Sequence, residues 1–238
     1  MTLTSEQSSV GELVGIAIVL AAASVSPLMF VASAAGYSSM NWLGLHALLP
    51  AVIAVSIVWV LAVTRGWLRL ARGVPTALVA GVLATVGLEI VRLIGFRLFD
   101  AMPGSMPELM GVKLLDQFMS GPDALSNLAG WGDHFWNGVS FAMIYILILG
   151  RRAWWIGTLY ALGIGTIFML SPVVSAMGAG LFGQQYAPIA FPLTVYIAHI
   201  TFGTVLGVTV SRSHVARATL FTYLMDFISR LSTGQVER

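Results

Sequence analysis

Cysteine is absent from this chain of 238 residues. Its absence excludes disulfides, thiolate metal sites and cysteine nucleophiles, and leaves the redox compartment undetermined. Charge is the second scarcity. Asp, Glu, Lys and Arg make up 9% of the residues, against about a quarter in an ordinary soluble domain. Phosphate-binding loops, nucleophile motifs and HExxH pairs are also missing, so no feature marks an enzyme. The pI near 9.2 does not imply nucleic acid as a partner, because the basic residues flank apolar runs and build no basic face interleaved with aromatics.

What is present is apolar. Hydrophobic residues account for 58% of the chain and the mean hydropathy is +0.89, which makes the lipid bilayer the expected partner. The opening MTLTSEQSSVGE is polar and acidic where a signal peptide carries a positive region, so the first apolar run is expected to be a retained span. About twenty apolar residues at 1.5 Å each cross a hydrocarbon core of roughly 30 Å. Six stretches meet that length: about 13–35, 43–64, 75–98, 133–150, 154–172 and 189–211. The expected fold class is therefore all-α: a polytopic membrane protein of six transmembrane helices. Two amphipathic surface helices are expected beside them. One lies at about 107–119, after the Ser105 to Glu108 capping-box spacing. The other lies at about 213–231, with Leu220, Leu224, Phe227, Ile228 and Leu231 on one face.

Orientation follows from Lys and Arg. Arg65, Arg69, Arg72, Arg151, Arg152, Arg212, Arg217, Arg230 and Arg238 fall on one side of the six spans, Arg97 and Lys113 on the other, and Arg92 inside a span. The positive-inside rule then places both termini in the cytoplasm. The acidic connection 99–132 lies outside, and the arginines of the cytoplasmic loops need no further role. His46, Glu89, Asp133, His134 and His199 all fall in the outer half, and His199 lies about ten residues down, roughly 15 Å, near the depth of Glu89. No ionisable group is expected in the inner half of the core.

Ionisable side chains are costly in a bilayer and tend to face one another or a wet cavity. Imidazole with carboxylate is a ligand set suited to a transition metal ion, and Glu89, His134 and His199 are the candidate ligands. Competing readings stay open: each His can be satisfied by a neighbouring helix, and Glu89 can pair with Arg92 one turn away. Asp133 reads as the cap of the fourth span, His46 as an interface residue, and Trp131, Trp136, Trp154 and Trp155 as interface anchors. His134, Gly138 and Ala142 repeat as His199, Gly203 and Gly207. These small pairs let helices approach closely, and if the two faces pack together they draw both His residues toward one seam.

From about 76 to 211 the order of features is ALVAGVLATVGLEIV, PELMG, GWGDHFWNGVSFAMIYILILG, SPVVSAMGAGLFG and IAHITFGTVLGV. This resembles the YagU-like group of small bacterial inner-membrane proteins, whose four-helix domain has a Gly-rich first helix with an acidic residue and two later helices opening with His and Gly. The resemblance implies a bacterial inner-membrane location and a compact helical bundle, and carries no activity, ligand or catalytic residue. The chain then divides into an N-terminal two-helix addition (1–72), a four-helix transmembrane domain (73–211) and a cytoplasmic amphipathic tail (212–238). The expected function is an integral inner-membrane protein with a small polar, metal-binding site in the periplasmic half of the bundle. The rivals are a structural or accessory subunit of a homo-oligomer or larger membrane complex, and a transporter or proton pathway, for which Pro27 and Pro172 would be the pointers.

Overall fold

The computed structural model describes residues 9–232, so the opening octapeptide and Arg238 lie outside it, as does the side chain of Leu231. Among the described residues every regular element is helical. Helix α1 (Val10–Ala34) starts where the Ser9 hydroxyl accepts the Glu12 amide at 3.1 Å, and runs through Pro27. Helix α2 (Met40–Arg65) passes through a π-helical turn at Gly44–Leu48 and stops at Gly66, whose left-handed φ of +70° favours glycine. Helix α3 (Leu68–Phe99) follows at once, then α4 (Met106–Leu114), α5 (Ala124–Leu149) and α6 (Trp154–Leu170). A short α7 (Pro172–Ala176) leads to α8 (Ala190–Ser211), and α9 (Leu220–Ser232) closes the described chain.

Four of these, α1, α2, α3 and α8, are long and apolar enough to cross a membrane. Helix α6 is as apolar but has 17 residues. Helix α5 is long enough at 26 residues, with Asp133, His134 and Asn137 diluting its middle. In space the long helices form an arc in the order α2, α1, α5, α3, α8, α6, each packed on the next. Helix α1 shares no packed face with α6, so the arc stays open between these two, while α5 reaches α6 through the Tyr160 hydroxyl, which donates to the Phe141 carbonyl at 3.0 Å. The main core runs along the arc through Val19, Ala23, Ala80, Ala84, Met143, Ile146, Ala198 and Leu206.

Several expectations need correction. Helix α5 begins nine residues before the expected start at 133, and its cap is Asp123, not Asp133. Asp123 Oδ1 accepts the Ser126 amide at 2.7 Å while the Ser126 hydroxyl accepts the Asp123 amide at 2.8 Å, and the first of these bonds holds the Asp123 carboxyl below its ordinary value. Helix α4 spans Met106–Leu114, shorter than expected, and packs closely on the bundle. Gly111 and Gly130 bring its backbone against α5, and Met106 and Met110 are buried with Met29, Phe30 and Met40. Helix α9 starts at Leu220, seven residues later than expected, because 213–219 instead docks on the end of α5 through the Arg151 amide to Ala216 carbonyl bond at 2.8 Å. Its face is also rotated: Tyr223 and Phe227 point inward, whereas Leu224 and Ile228 are exposed beside Phe221 and Met225.

Candidate functional site

Helix α3 presents Glu89 and Arg92 three residues apart, and the Arg92 guanidinium pairs with Glu89 Oε1. Helix α5 brings His134 to the same carboxylate oxygen, with Nε2 at 2.7 Å. A carboxylate oxygen only accepts here, so that nitrogen carries the hydrogen, and in a neutral ring Nδ1 is left as a bare lone pair. All three side chains are mostly buried. The competing readings therefore join: Glu89 takes the helical pair with Arg92 and the interhelical bond to His134 together.

His199 on α8 is held differently. Its Nδ1 lies 2.7 Å from the Val195 carbonyl one turn earlier, and its ring stacks on Phe168 with centroids 6.4 Å apart. A carbonyl oxygen cannot donate, so Nδ1 carries the hydrogen and Nε2 is the acceptor. Among the described residues no group of three His, Cys, Asp or Glu side chains is placed to hold a metal ion. The expected trio is thus a pair, Glu89 with His134, and a separate His199. The reason lies in the small-residue pairs, which sit at close contacts with different partners. Gly138 packs on Gly81 and Thr85 of α3, and a Cβ on Gly81 would meet Val139 Cα at 2.5 Å. Gly203 and Gly207 pack on Gly157, Ala161 and Trp154 of α6, and a Cβ on Gly157 would meet Gly207 Cα at 2.8 Å. The two small faces never meet, so they form no common seam.

What His134 and His199 do share is a cavity. It measures about 640 Å³ and occupies the gap that the open arc leaves between α1, α3, α5, α6 and α8. Its wall is mostly apolar; Arg92, His134, Asn137 and His199 form its main polar side, and the Ser24, Thr85 and Ser171 hydroxyls also line it. Asn137 Oδ1 is buried with no hydrogen-bond partner among the described residues. Leu28 on α1 and Ile167 on α6 line the cavity yet are 60% and 69% exposed, so the mouth opens sideways between these two apolar helices.

Two buried charged sites escaped the sequence reading. Asp133, 5% exposed and inside α5, accepts the Ser26 hydroxyl of α1 at 3.1 Å through Oδ1, while its Oδ2 is buried with no partner among the described residues. The second lies at the opposite end of the bundle. Glu12 Oε1 accepts the Arg69 and Leu70 amides at 2.9 and 3.4 Å, which fills two open donors at the start of α3. The Tyr223 hydroxyl donates to Glu12 Oε2 at 2.5 Å, and Arg69, 2% exposed, donates to the carbonyls of Leu147 and Ala218 at 2.7 and 2.9 Å. Arg69 was expected among the unremarkable loop arginines, and nothing local distinguishes it from Arg65 or Arg72. His46 stays apart from both sites, stacked on Trp42 at 4.7 Å.

No protein-family model, no curated protein and no solved structure matches this chain.

Proposed function

We propose that the chain is an integral bacterial inner-membrane protein of six spans, both termini cytoplasmic, whose periplasmic half holds a small hydrophobic molecule. The observation that carries this reading is the cavity of about 640 Å³ with one polar side and a mouth on the apolar flank between α1 and α6. Pre-formed pockets of roughly 300–1,000 Å³, mostly apolar with a few placed polar groups, are where small ligands bind. A mouth lined by Leu28, Ile167 and Leu170 admits molecules dissolved in lipid rather than ions from water. The likeness to the YagU-like group supports the same location.

The second reading is the metal site. It rests on the 2.7 Å contact of His134 with Glu89, since an imidazole whose N–H is held by a carboxylate offers its other nitrogen to an ion. In this reading Glu89 orients the ligand and does not itself bind.

One experiment addresses both. Protein purified in nanodiscs is extracted with solvent for mass spectrometry and digested for elemental analysis, for wild type and for Ile164→Trp, which fills the cavity from α6. The expected result is an apolar compound near one per chain in wild type, lost in Ile164→Trp while thermal unfolding is unchanged. Equal compound content in the two proteins removes the cavity reading, and wild type that stays metal-free in excess zinc, copper, iron and nickel removes the second.

A further inference from the structure

The cavity wall says more about its occupant than its volume does. Among the described residues Arg92 is the one Lys or Arg on that wall, and its guanidinium is paired with Glu89, so with imidazole neutral the polar side carries no net charge. An anionic headgroup would find no uncompensated cation there, and a desolvated unpaired charge is costly. An ammonium headgroup fares no better, because no carboxylate lines the cavity among the described residues and Glu89 Oε1, behind the wall, is already shared by Arg92 and His134.

The same wall offers hydrogen-bond acceptors beside the N–H donors that Arg92 and the Asn137 amide carry. His134 commits its Nε2–H to Glu89 and His199 commits its Nδ1–H to Val195, so each neutral ring has only a lone pair left to offer. Asn137 adds a buried carbonyl oxygen with no partner among the described residues, together with its amide N–H donors. The Ser24 and Ser171 hydroxyls, which also line the cavity, donate to the carbonyls of Leu20 and Phe168 and keep only acceptor capacity. Buried acceptors left unmet cost about 1–3 kcal/mol each, and a ligand that donates removes that cost. From this arrangement we infer that the occupant is a neutral, hydroxyl-bearing lipid, with its O–H donating to His134 or His199 and its tail lying toward Leu28 and Ile167. A hydroxyl suits the wall because it donates once and can also accept from Arg92. This inference rests on the cavity reading above and specifies the head it takes.

The test is photolabelling of the full-length protein in nanodiscs with diazirine-tagged decanol, the labelled peptides being mapped by mass spectrometry. Unlabelled decanol, decyl methyl ether and decanoate compete. The expected result is labelling of the α1 and α6 segments that contain Leu28 and Ile167, with decanol displacing the probe at about tenfold lower membrane concentration than the ether or the acid, as one net hydrogen bond supplies. His199→Leu and, separately, His134→Gln should retain labelling, and at least one of them should lose the tenfold preference. Decanol and its ether competing equally would overturn the hydroxyl inference while the cavity stands, and so would a preference for decanoate or a preference that survives in both variants. Labelling that is absent from both segments, or unchanged in Ile164→Trp, would overturn the cavity reading itself.

Discussion

Arg69 shows how far a single side chain reaches in this protein. Its amide meets Glu12 of α1, its guanidinium meets carbonyls of α5 and of the segment before α9, and its Cζ lies 5.3 Å from the centroid of the Tyr223 ring. One buried cation therefore ties the starts of α1 and α3 to the end of α5, where the open carbonyls of a helix C-terminus favour positive charge. Arg69→Ala strands the Leu147 and Ala218 carbonyls and should cost about 3 kcal/mol, whereas Tyr223→Phe removes one hydroxyl and should cost about 1 kcal/mol. Unfolding followed by circular dichroism measures both; equal effects would mean that Arg69 is no hub. Asp133 makes the same point from the other side. In the sequence it stands where an apolar run begins and so looks like a cap, but the preceding ALSNLAGWG is helical too, and that carries the carboxylate a further two and a half turns in, roughly 14 Å.

Helix pairing is set by where backbones can touch. Small residues decide this in α3, α5, α6 and α8, because packing in a bilayer relies on close van der Waals contact and not on hydrophobic exclusion from water. The sequence displays the small pairs plainly, yet not their partners: Gly138 turned to α3 and Gly203 to α6. Gly81 and Gly163 separate contact from mere smallness. A side chain on Gly81 runs into the Val139 backbone, while one on Gly163 meets nothing within 4 Å. Gly81→Leu should therefore destabilise by about 3 kcal/mol or more, and Gly163→Ala should be neutral or gain up to about 1 kcal/mol from helix propensity. Thermal unfolding of the two variants in one detergent checks this, and a tolerated Gly81→Leu would refute the α3–α5 contact.

Across the whole molecule, the helices separate an arginine-rich end from an acidic one. The buried Glu12–Arg69–Tyr223 cluster lies at the arginine-rich end of the bundle, and the loop carrying Asp100, Asp116 and Asp123 lies at the other. The lack of cysteine makes the proposed orientation directly testable, because any introduced thiol is unique. Met119, 95% exposed beyond α4, and the exposed His214 after α8 are suitable positions. In intact spheroplasts a membrane-impermeant maleimide should label Met119→Cys and spare His214→Cys until lysis. The reverse pattern would invert the topology, and labelling of both before lysis would reject an odd number of crossings between them.

By itself the sequence determined the all-helical, membrane-compatible character of the chain, because apolar run length and charge scarcity are properties of contiguous residues. It also determined the close-contact glycines and the scarcity of intramembrane charge, which narrowed the polar residues to a handful, Glu89, His134 and His199 among them. Only the tertiary structure decided which of these meet: Glu89 with Arg92 and His134, His199 with its own helix, Asp133 with Ser26, and Arg69 with four separate segments. Helix rotation and neighbour order set those meetings. A rotation of one residue, about 100°, moves a side chain from a neighbouring helix to lipid without altering composition, span length or charge count. The cavity belongs to the same class of fact, since it is the gap where α6 fails to close on α1, and a gap has no residues of its own.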